Sequence, residues 1–324
     1  MPMSPERPKY DCLCAGIVVA DFICAPVTHV PAAGGVVMTS AISTTIGGCA
    51  SNVAMDLARI GRRAAVVGLV GTDMPGRFVR DELAAAGVDT AYLVHTSAVQ
   101  TSATLVINVR GEDRRFIHTF GANAEFDGQE ITPALVRQAR VLYLGGFFLM
   151  PRLTAEKVVE MFRCAREARV PTVLDVVIPD PRNCREQLAK VLPWTSVFVP
   201  NTDEARQLTD LADPLEQARC FRDAGAGTVV ITCGGEGAVL AAESGCLRAG
   251  RYPVDFVDGT GSGDAFAAGY IAGLLDGCPP DRCLELGSAL GASCVRCSGA
   301  TTGVFTRSQL EEFLAANRLA ISPA

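Results

Sequence analysis

Val141-Leu-Tyr-Leu-Gly145, Thr154–Ala168, Thr172-Val-Leu-Asp-Val-Val177, Val197-Phe-Val-Pro200 and Ala205–Leu211 follow one another as short β-rich apolar runs alternating with helical patterns. The same alternation extends upstream through Leu13–Ala20, Asn52–Gly61, Ala64–Val70 and Gly76–Ala86. Strands that alternate with helices imply a mostly parallel sheet covered by helices on both faces. In such α/β sheets chemistry sits beyond the carboxyl ends of the strands, so the residues just after each apolar run are the first candidates.

Composition narrows the classes. A chain of 324 residues with 49% hydrophobic and 20% charged residues buries a sizeable core and is neither disordered nor fibrous. The net charge is −6, and no Lys/Arg cluster exceeds three in close succession, which argues against a nucleic-acid partner. The stretch Met1–Asp11 is polar and proline-rich, and no run reaches bilayer length, so a cytoplasmic protein without a membrane partner is expected. The 13 cysteines are scattered among apolar residues and read as reduced core residues. Cys12-Leu-Cys14 reads as strand interior. Cys294-Val-Arg-Cys297 lacks the second pair of ligands that a structural zinc site needs.

Two stretches interrupt the alternation. Phe22–Ile46 carries Pro26, Pro31 and Gly34-Gly35, and Thr101–Phe120 reads as two strands around Arg110-Gly-Glu-Asp113, with Phe116, His118 and Phe120 on one face. With no repeat or linker in view, these segments, approximately 22–46 and 99–121, read as a small β-sheet inserted in a single domain spanning 1–324. Such a sheet serves as a lid or a dimer surface.

The strongest chemical signal is Asp258-Gly-Thr-Gly-Ser-Gly-Asp264, which follows the apolar stretch Tyr252–Val257 and opens the helical run Ala265–Asp276. Gly261, Ser262 and Gly263 are small enough for backbone N–H groups to converge at a helix start, where the helix dipole favours an anion. Phosphoryl transfer needs such donors and an aligned nucleophile. Asp264, in the first turn, faces the same space as a candidate base. The bland alternative is a tight turn with an acidic residue complementing the dipole.

Three further elements are weaker alone. Ile46-Gly-Gly-Cys-Ala-Ser-Asn52 offers Gly47 and Gly48 for close backbone approach and an amide for sugar hydroxyls, or simply an N-cap at Asn52. Asp21, read at the end of the first strand, is a turn residue or an acceptor for a diol. Pro200-Asn-Thr-Asp-Glu204 has the spacing of a capping box, and equally of a pair, Asn201 and Glu204, that holds hydrated Mg²⁺. Thr232-Cys-Gly-Gly-Glu-Gly237 makes a strand reversal or lines a nucleotide.

These elements, in this order, resemble the ribokinase family of PfkB-type carbohydrate kinases over nearly the whole chain. Gly47-Gly48 with Asn52 resembles the first signature, Asp258–Asp264 the second, Asn201/Glu204 the Asn-x-x-Glu motif and Thr232/Gly234/Gly237 the nucleotide motif. The resemblance implies a ribokinase-like three-layer α/β sandwich with a mostly parallel central sheet and a small β-sheet lid. It implies Asp264 as base, the amides of Gly261, Ser262 and Gly263 as anion hole, and Asp21, Gly47, Gly48 and Asn52 as substrate ligands. It further implies that Asn201, Glu204, Thr232, Gly234, Gly237 and Gly263 face ATP or its Mg²⁺. Many members bind K⁺ beside the anion hole, which would fall here to Asp258, Thr260 and carbonyls near Cys294, Cys297 and Gly299. The chain departs from the family pattern at Gly259 (usually Thr), Ser262 (usually Ala), Ser288 (often Asn, near adenine) and Gly303 (often Ser).

The expected activity is therefore ATP-dependent phosphorylation of a primary hydroxyl of a small sugar, in a homodimer formed through the lid. Gly121-Ala-Asn123 also resembles ribokinase-like members and favours sugars. A nucleoside kinase of the same family is the alternative enzyme, and a non-catalytic sugar sensor, which need not keep Asp264, the alternative of another class. A nicotinamide-binding protein is not expected, because Cys14-Ala-Gly-Ile-Val-Val-Ala-Asp21 replaces a Gly-x-Gly-x-x-Gly turn after the first strand.

Overall fold

The computed structural model describes residues 8–112 and 115–324; residues 1–7 of the polar N-terminal stretch and Asp113 of the expected lid turn lie outside the described residues. The strands are β1 (Tyr10–Gly16), β2 (Val19–Val27), β3 (Ile42–Gly47), β4 (Ala64–Gly71), β5 (Asp89–Thr96), β6 (Ala103–Val109), β7 (Arg115–Thr119), β8 (Ala139–Gly145), β9 (Thr172–Leu174), β10 (Val197–Phe198), β11 (Thr228–Thr232), β12 (Ala238–Ala242), β13 (Gly245–Ala249) and β14 (Ile321–Pro323). The helices are α1 (Cys49–Arg59), α2 (Met74–Ala85), α3 (Pro133–Val136), α4 (Ala155–Glu167), α5 (Pro181–Val191), α6 (Thr202–Thr209), α7 (Pro214–Asp223), α8 (Ser262–Leu275), α9 (Pro280–Cys294) and α10 (Arg307–Ala316).

Ten strands form the main sheet in the order β14-β13-β12-β11-β10-β9-β8-β1-β4-β5. It is parallel from β11 to β5 and antiparallel from β11 to β14. Strands β1, β4 and β8 are covered on both faces, which is why they read as unbroken apolar runs rather than as alternating ones. Cys12 and Cys14 are buried inside β1. The second sheet, β3-β2-β6-β7, pairs β2 parallel to β6 and is otherwise antiparallel. The chain is an α/β three-layer sandwich with a small accessory sheet.

Three stretches differ from the sequence reading, each for a local reason. Leu13–Ala20 is not one strand. Gly16 turns the chain out of the main sheet at φ 133°, where a Cβ would lie 2.1 Å from the Gly145 carbonyl oxygen, and Val19 begins the second sheet. Asp21 therefore sits inside β2 instead of closing the first strand. Thr172–Val177 stops as a strand at Leu174, leaving Asp175 beyond its end. The apolar stretch Tyr252–Val257, interrupted by Pro253 and Asp255, is irregular, and Phe256 and Val257 are exposed.

Among the described residues no helix is long and apolar enough to cross a membrane. All 13 cysteines are free thiols.

Candidate active site

The carboxyl ends of the strands open onto two adjacent cavities that share the 258–264 loop. The larger, about 840 Å³, is lined by Asn201, Thr232, Gly234, Gly237, Ser262, Gly263 and Ser288 among others. The smaller, about 230 Å³, is lined by Asp21, Gly48, Asn52, His118, Gly261 and Asp264 among others. Ser262 and Gly263 thus face one space while Gly261 and Asp264 face the other.

The loop is tied down before the helix starts. Asp258 Oδ1 accepts from the Thr260 amide (2.9 Å) and hydroxyl (2.8 Å), and its Oδ2 accepts from the Gly299 amide at 3.2 Å and the Ser298 hydroxyl at 3.4 Å. Gly261 caps α8 in a left-handed conformation, φ 77°, with a Cβ position only 2.2 Å from the Ala300 carbonyl oxygen, so no other residue fits. Gly263 faces open space, with no atom within 4 Å of its Cβ position. Gly259 is not in a glycine-only conformation, and its Cβ position lies 3.7 Å from the Phe256 ring; the chain loses a hydroxyl there without straining the turn.

Asp264 is the third residue of α8, and its Oδ2 accepts 2.8 Å from Asn52 Nδ2. Asn52 is not the N-cap of its helix, a position held by Gly48; it lies one turn in, buried, with its amide pointing across to α8. Burial raises the Asp264 pKa above the ordinary carboxylate range, and the Asn52 and Cys49 side chains oppose that rise. Asp21 reaches the same cavity from β2 because β3 passes beside it as glycine: a Cβ on Gly47 would lie 2.2 Å from Asp21 Oδ2. Burial pushes Asp21 up to about 6, with the Thr104 side chain opposing and the Asp264 charge adding to the shift. Thr104 Oγ1 lies 3.1 Å from His118 Nδ1, and Phe116 and His118 close the cavity from the small sheet.

On the other side, a parallel bridge between Asn201 and Thr232 sets the second and third motifs side by side. Asn201 does cap α6: its Oδ1 accepts from the Asp203 and Glu204 amides, both at 2.9 Å, while Glu204 Oε2 accepts from the Asn201 amide at 2.9 Å. The capping box and a ligand-facing role coincide here, since Asn201 also lines the large cavity. Burial, with the Asp175 charge adding, pushes Glu204 up to about 8. A buried carboxylate held up in this way fits a site that receives a dication. Thr232-Cys-Gly-Gly-Glu-Gly237 is likewise both a reversal, between β11 and β12, and cavity wall.

The loop expected to bind K⁺ is held in two ways. The Cys294 thiol is buried and donates to the carbonyls of Thr260 (3.3 Å) and Ala300 (3.1 Å), an arrangement that suits a structural thiol rather than a zinc ligand. The carbonyls of Ser293 and Cys294 lie 2.8 and 2.9 Å from the Cβ position of Gly303, which is why this loop carries glycine and not serine. Cys297 is half-buried on the same loop, and Gly299 binds Asp258 through its amide. Asn123 is buried and lines neither cavity: its Oδ1 accepts from the Val18 amide at 3.1 Å where the chain crosses between sheets.

Three residues of the site were not anticipated. Asp175 accepts from the buried Tyr143 hydroxyl at 3.0 Å, and burial, reinforced by the Asp264 charge, pushes it up to about 7. Cys49 lies between Asp175 and Asp264 at the start of α1, its thiol pushed up by burial. Asp56, a turn beyond Asn52, is fully buried, and both its oxygens lack a hydrogen-bond partner; burial raises it well above its ordinary value. Asp175 stands at a strand end and was findable by the rule that chemistry follows each apolar run, but the run itself reads through to Val177.

The family described as pfkB family carbohydrate kinase matches residues 9–307. The aminoimidazole riboside kinase of Salmonella typhimurium is 30% identical over 288 residues, covering 85% of this chain and 89% of that one. Among solved structures, Arabidopsis thaliana ribokinase complexed with ribose and ATP superposes with a TM-score of 0.82 at 21% identity, covering 94% of this chain and 98% of that one. The fructokinase of Xylella fastidiosa with bound ATP gives 0.78 at 24% identity, covering 94% and 98%.

Proposed function

Because the chain belongs to the pfkB family of carbohydrate kinases, we propose that it transfers the γ-phosphoryl group of ATP to a primary hydroxyl of a small sugar, within one domain whose accessory sheet acts as a lid. The observation that carries this reading is the shared loop: two cavities, one wide enough for a nucleotide and one small with Asp21, Asn52 and Asp264 in its wall, meet at Gly261–Asp264. A group passing from one cavity to the other passes the N-terminus of α8.

In this reading Asp21, Asn52 and the backbone at Gly47-Gly48 hold the sugar in the small cavity. Asp264 takes the hydroxyl proton as the new O–P bond forms. The bond from γ-phosphorus to the bridging oxygen breaks, and its electron pair leaves with ADP. The amides of Gly261, Ser262 and Gly263, at the positive end of α8, bear the charge that spreads over the transferring oxygens. Burial makes Asp264 a better base than an exposed carboxylate, and a loose transition state asks for proton removal only late. Asn201, Thr232, Gly234, Gly237 and Ser288 line the nucleotide side, and Asn201 with Glu204 would hold Mg²⁺, largely through water. The Mg²⁺ supplies positive charge against the phosphates. K⁺ would be held by Asp258, Thr260 and carbonyls of residues 294, 297 and 299.

A second reading, phosphorylation of a nucleoside, has its own observation. Phe116 and His118 line the small cavity, where a heterocycle attached to ribose would find aromatic side chains to stack on. The retained Asp264–Asn52 pair argues against a sensor.

The exposed apolar residues Leu105 and Ile117, paired across β6 and β7, favour a homodimer through the lid, which light scattering at micromolar concentration would show as twice the chain mass. Free thiols throughout suit the cytoplasm. Pentoses, hexoses, sugar acids and nucleosides are to be screened for ATP turnover with Mg²⁺ present. Turnover with a neutral pentose or hexose is expected. Turnover confined to nucleosides would select the second reading, and silence with every compound would revive the sensor.

A further inference from the structure

We propose that Cys49, Asp175 and Asp264 form a binding site for a thiophilic divalent cation of the Zn²⁺ class beside the small cavity, whose wall includes Cys49 and Asp264. The three come from different elements: Cys49 opens α1, Asp175 follows β9, and Asp264 lies in the first turn of α8. One ligand atom from each, the thiol sulfur and two carboxylate oxygens, lies within 4.8 Å of the other two. With Zn–S near 2.3 Å and Zn–O near 2.1 Å, tetrahedral ligands stand roughly 3.5 Å apart, so about 1 Å of side-chain adjustment closes the set.

A second, independent observation lies beside the same spot. Asn52 is 4% exposed, its Nδ2 is held 2.8 Å from Asp264 Oδ2, and its Oδ1 has no hydrogen-bond partner. A buried carbonyl-type oxygen without a donor is costly unless something positive reaches it. On the amide that bonds Asp264, this oxygen is the nearest unpartnered acceptor available to a bound cation or to a water on it.

The donor set decides the kind of ion. One sulfur and two or three oxygens in a tight, half-buried cluster suit Zn²⁺, Co²⁺ or Cd²⁺. Mg²⁺ keeps most of its waters and asks for six hard oxygens, so a set with a sulfur donor does not suit it. On binding, two new metal–oxygen bonds and one metal–sulfur bond form. The thiol proton of Cys49, with any proton on the two carboxylates, goes to solvent. Nearby, the buried Tyr143 hydroxyl donates to Asp175 at 3.0 Å and fixes that carboxylate in place.

The functional consequence is inhibition. A carboxylate bound to a dication is a much weaker base, so a coordinated Asp264 no longer takes the substrate proton effectively. That consequence rests on Asp264 being the base, whereas binding does not.

The test titrates the full chain, stripped of metal, with Co²⁺ and reads the thiolate-to-cobalt charge-transfer absorbance, then repeats the titration with Zn²⁺ by calorimetry. One equivalent is expected to bind with a thiolate band. Cys49→Ala and Cys49→Ser, each checked for native melting, should lose the band and weaken Zn²⁺ by about 100-fold or more, beyond the 10–100-fold typical of an outer-shell change. Asp175→Asn should weaken it by at least about tenfold. A band that survives both Cys49 variants, or no binding by the wild type, overturns the proposal. Zn²⁺ should also inhibit turnover at fixed free Mg²⁺, reversibly on chelation. Binding that depends on Cys49 but leaves turnover intact would keep the metal site and overturn the base assignment.

Discussion

Gly47→Ala isolates the role of Asp21 without touching it. Gly47 ends β3 outside the left-handed region, so alanine can adopt its backbone angles. The added methyl would stand 2.2 Å from Asp21 Oδ2 and 2.6 Å from its Cγ. Ordinary contact begins near 3.4 Å, so the carboxylate must retreat by about 1 Å, which is enough to break a hydrogen bond and misplace a ligand. The end of a side chain moves cheaply, so the fold should keep its stability to within about 1 kcal/mol. A lost hydrogen bond to a charged acceptor is worth about 1.5–3 kcal/mol, or roughly 10- to 150-fold in kcat/KM. The loss should fall mainly on the KM of the phosphoryl acceptor and leave the KM of ATP unchanged. Steady-state kinetics on the acceptor found in the substrate screen, with the melting temperature as control, makes the measurement. In an Asp21→Asn background the same change should add little, because the two act on one contact. A kcat/KM for Gly47→Ala within about twofold of wild type would refute the reasoning.

The remaining predictions concern charge, the anion loop and the lid. Asp21, Asp175 and Glu204 have folded values pushed up to about 6, 7 and 8, against ordinary values of 3.8, 3.8 and 4.5. The folded state therefore binds more protons than the unfolded one between roughly pH 5 and 8, and the stability these groups contribute is lost as pH rises through that window. The melting temperature of the ligand-free protein should fall from pH 5 to pH 8, less so with MgATP bound; a flat or rising profile would contradict the cluster. Gly263→Ala meets no protein atom within 4 Å, so melting should not change. Its methyl would enter the space of the moving phosphoryl group, and kcat should drop by about tenfold or more. Phe116→Ala should weaken a nucleoside acceptor by about 0.5–1.5 kcal/mol beyond any effect on a free sugar, if the aromatic face stacks on a base; equal effects on both would remove the second reading.

The α/β alternation was legible because β1, β4 and β8 are buried on both faces and write themselves as apolar runs. Asp264 was legible because its helix start, its glycines and its charge are contiguous in sequence. Its partner Asn52 was legible only as a type of residue. That its amide bonds Asp264, and does not cap α1, depends on the packing of α1 against α8, which no local pattern encodes. Asp175 was hidden for the opposite reason: Val176 and Val177 continue the apolar run past the point where the strand ends. The break at Gly16 was visible as a glycine but not as a change of sheet, because the turn is imposed by the Gly145 carbonyl on a neighbouring strand. Asn201 shows that a helix cap and a place in the cavity wall are not alternatives, since the capping residue of α6 also lines the large cavity.

The most direct test of the account is the turnover number of Asp264→Asn with saturating MgATP and a confirmed acceptor. The amide keeps the shape of the carboxylate and a hydrogen-bonding atom for Asn52 but cannot take a proton. The account predicts native melting and a loss of about 10²–10⁴-fold in kcat. Turnover close to that of the wild type would contradict it.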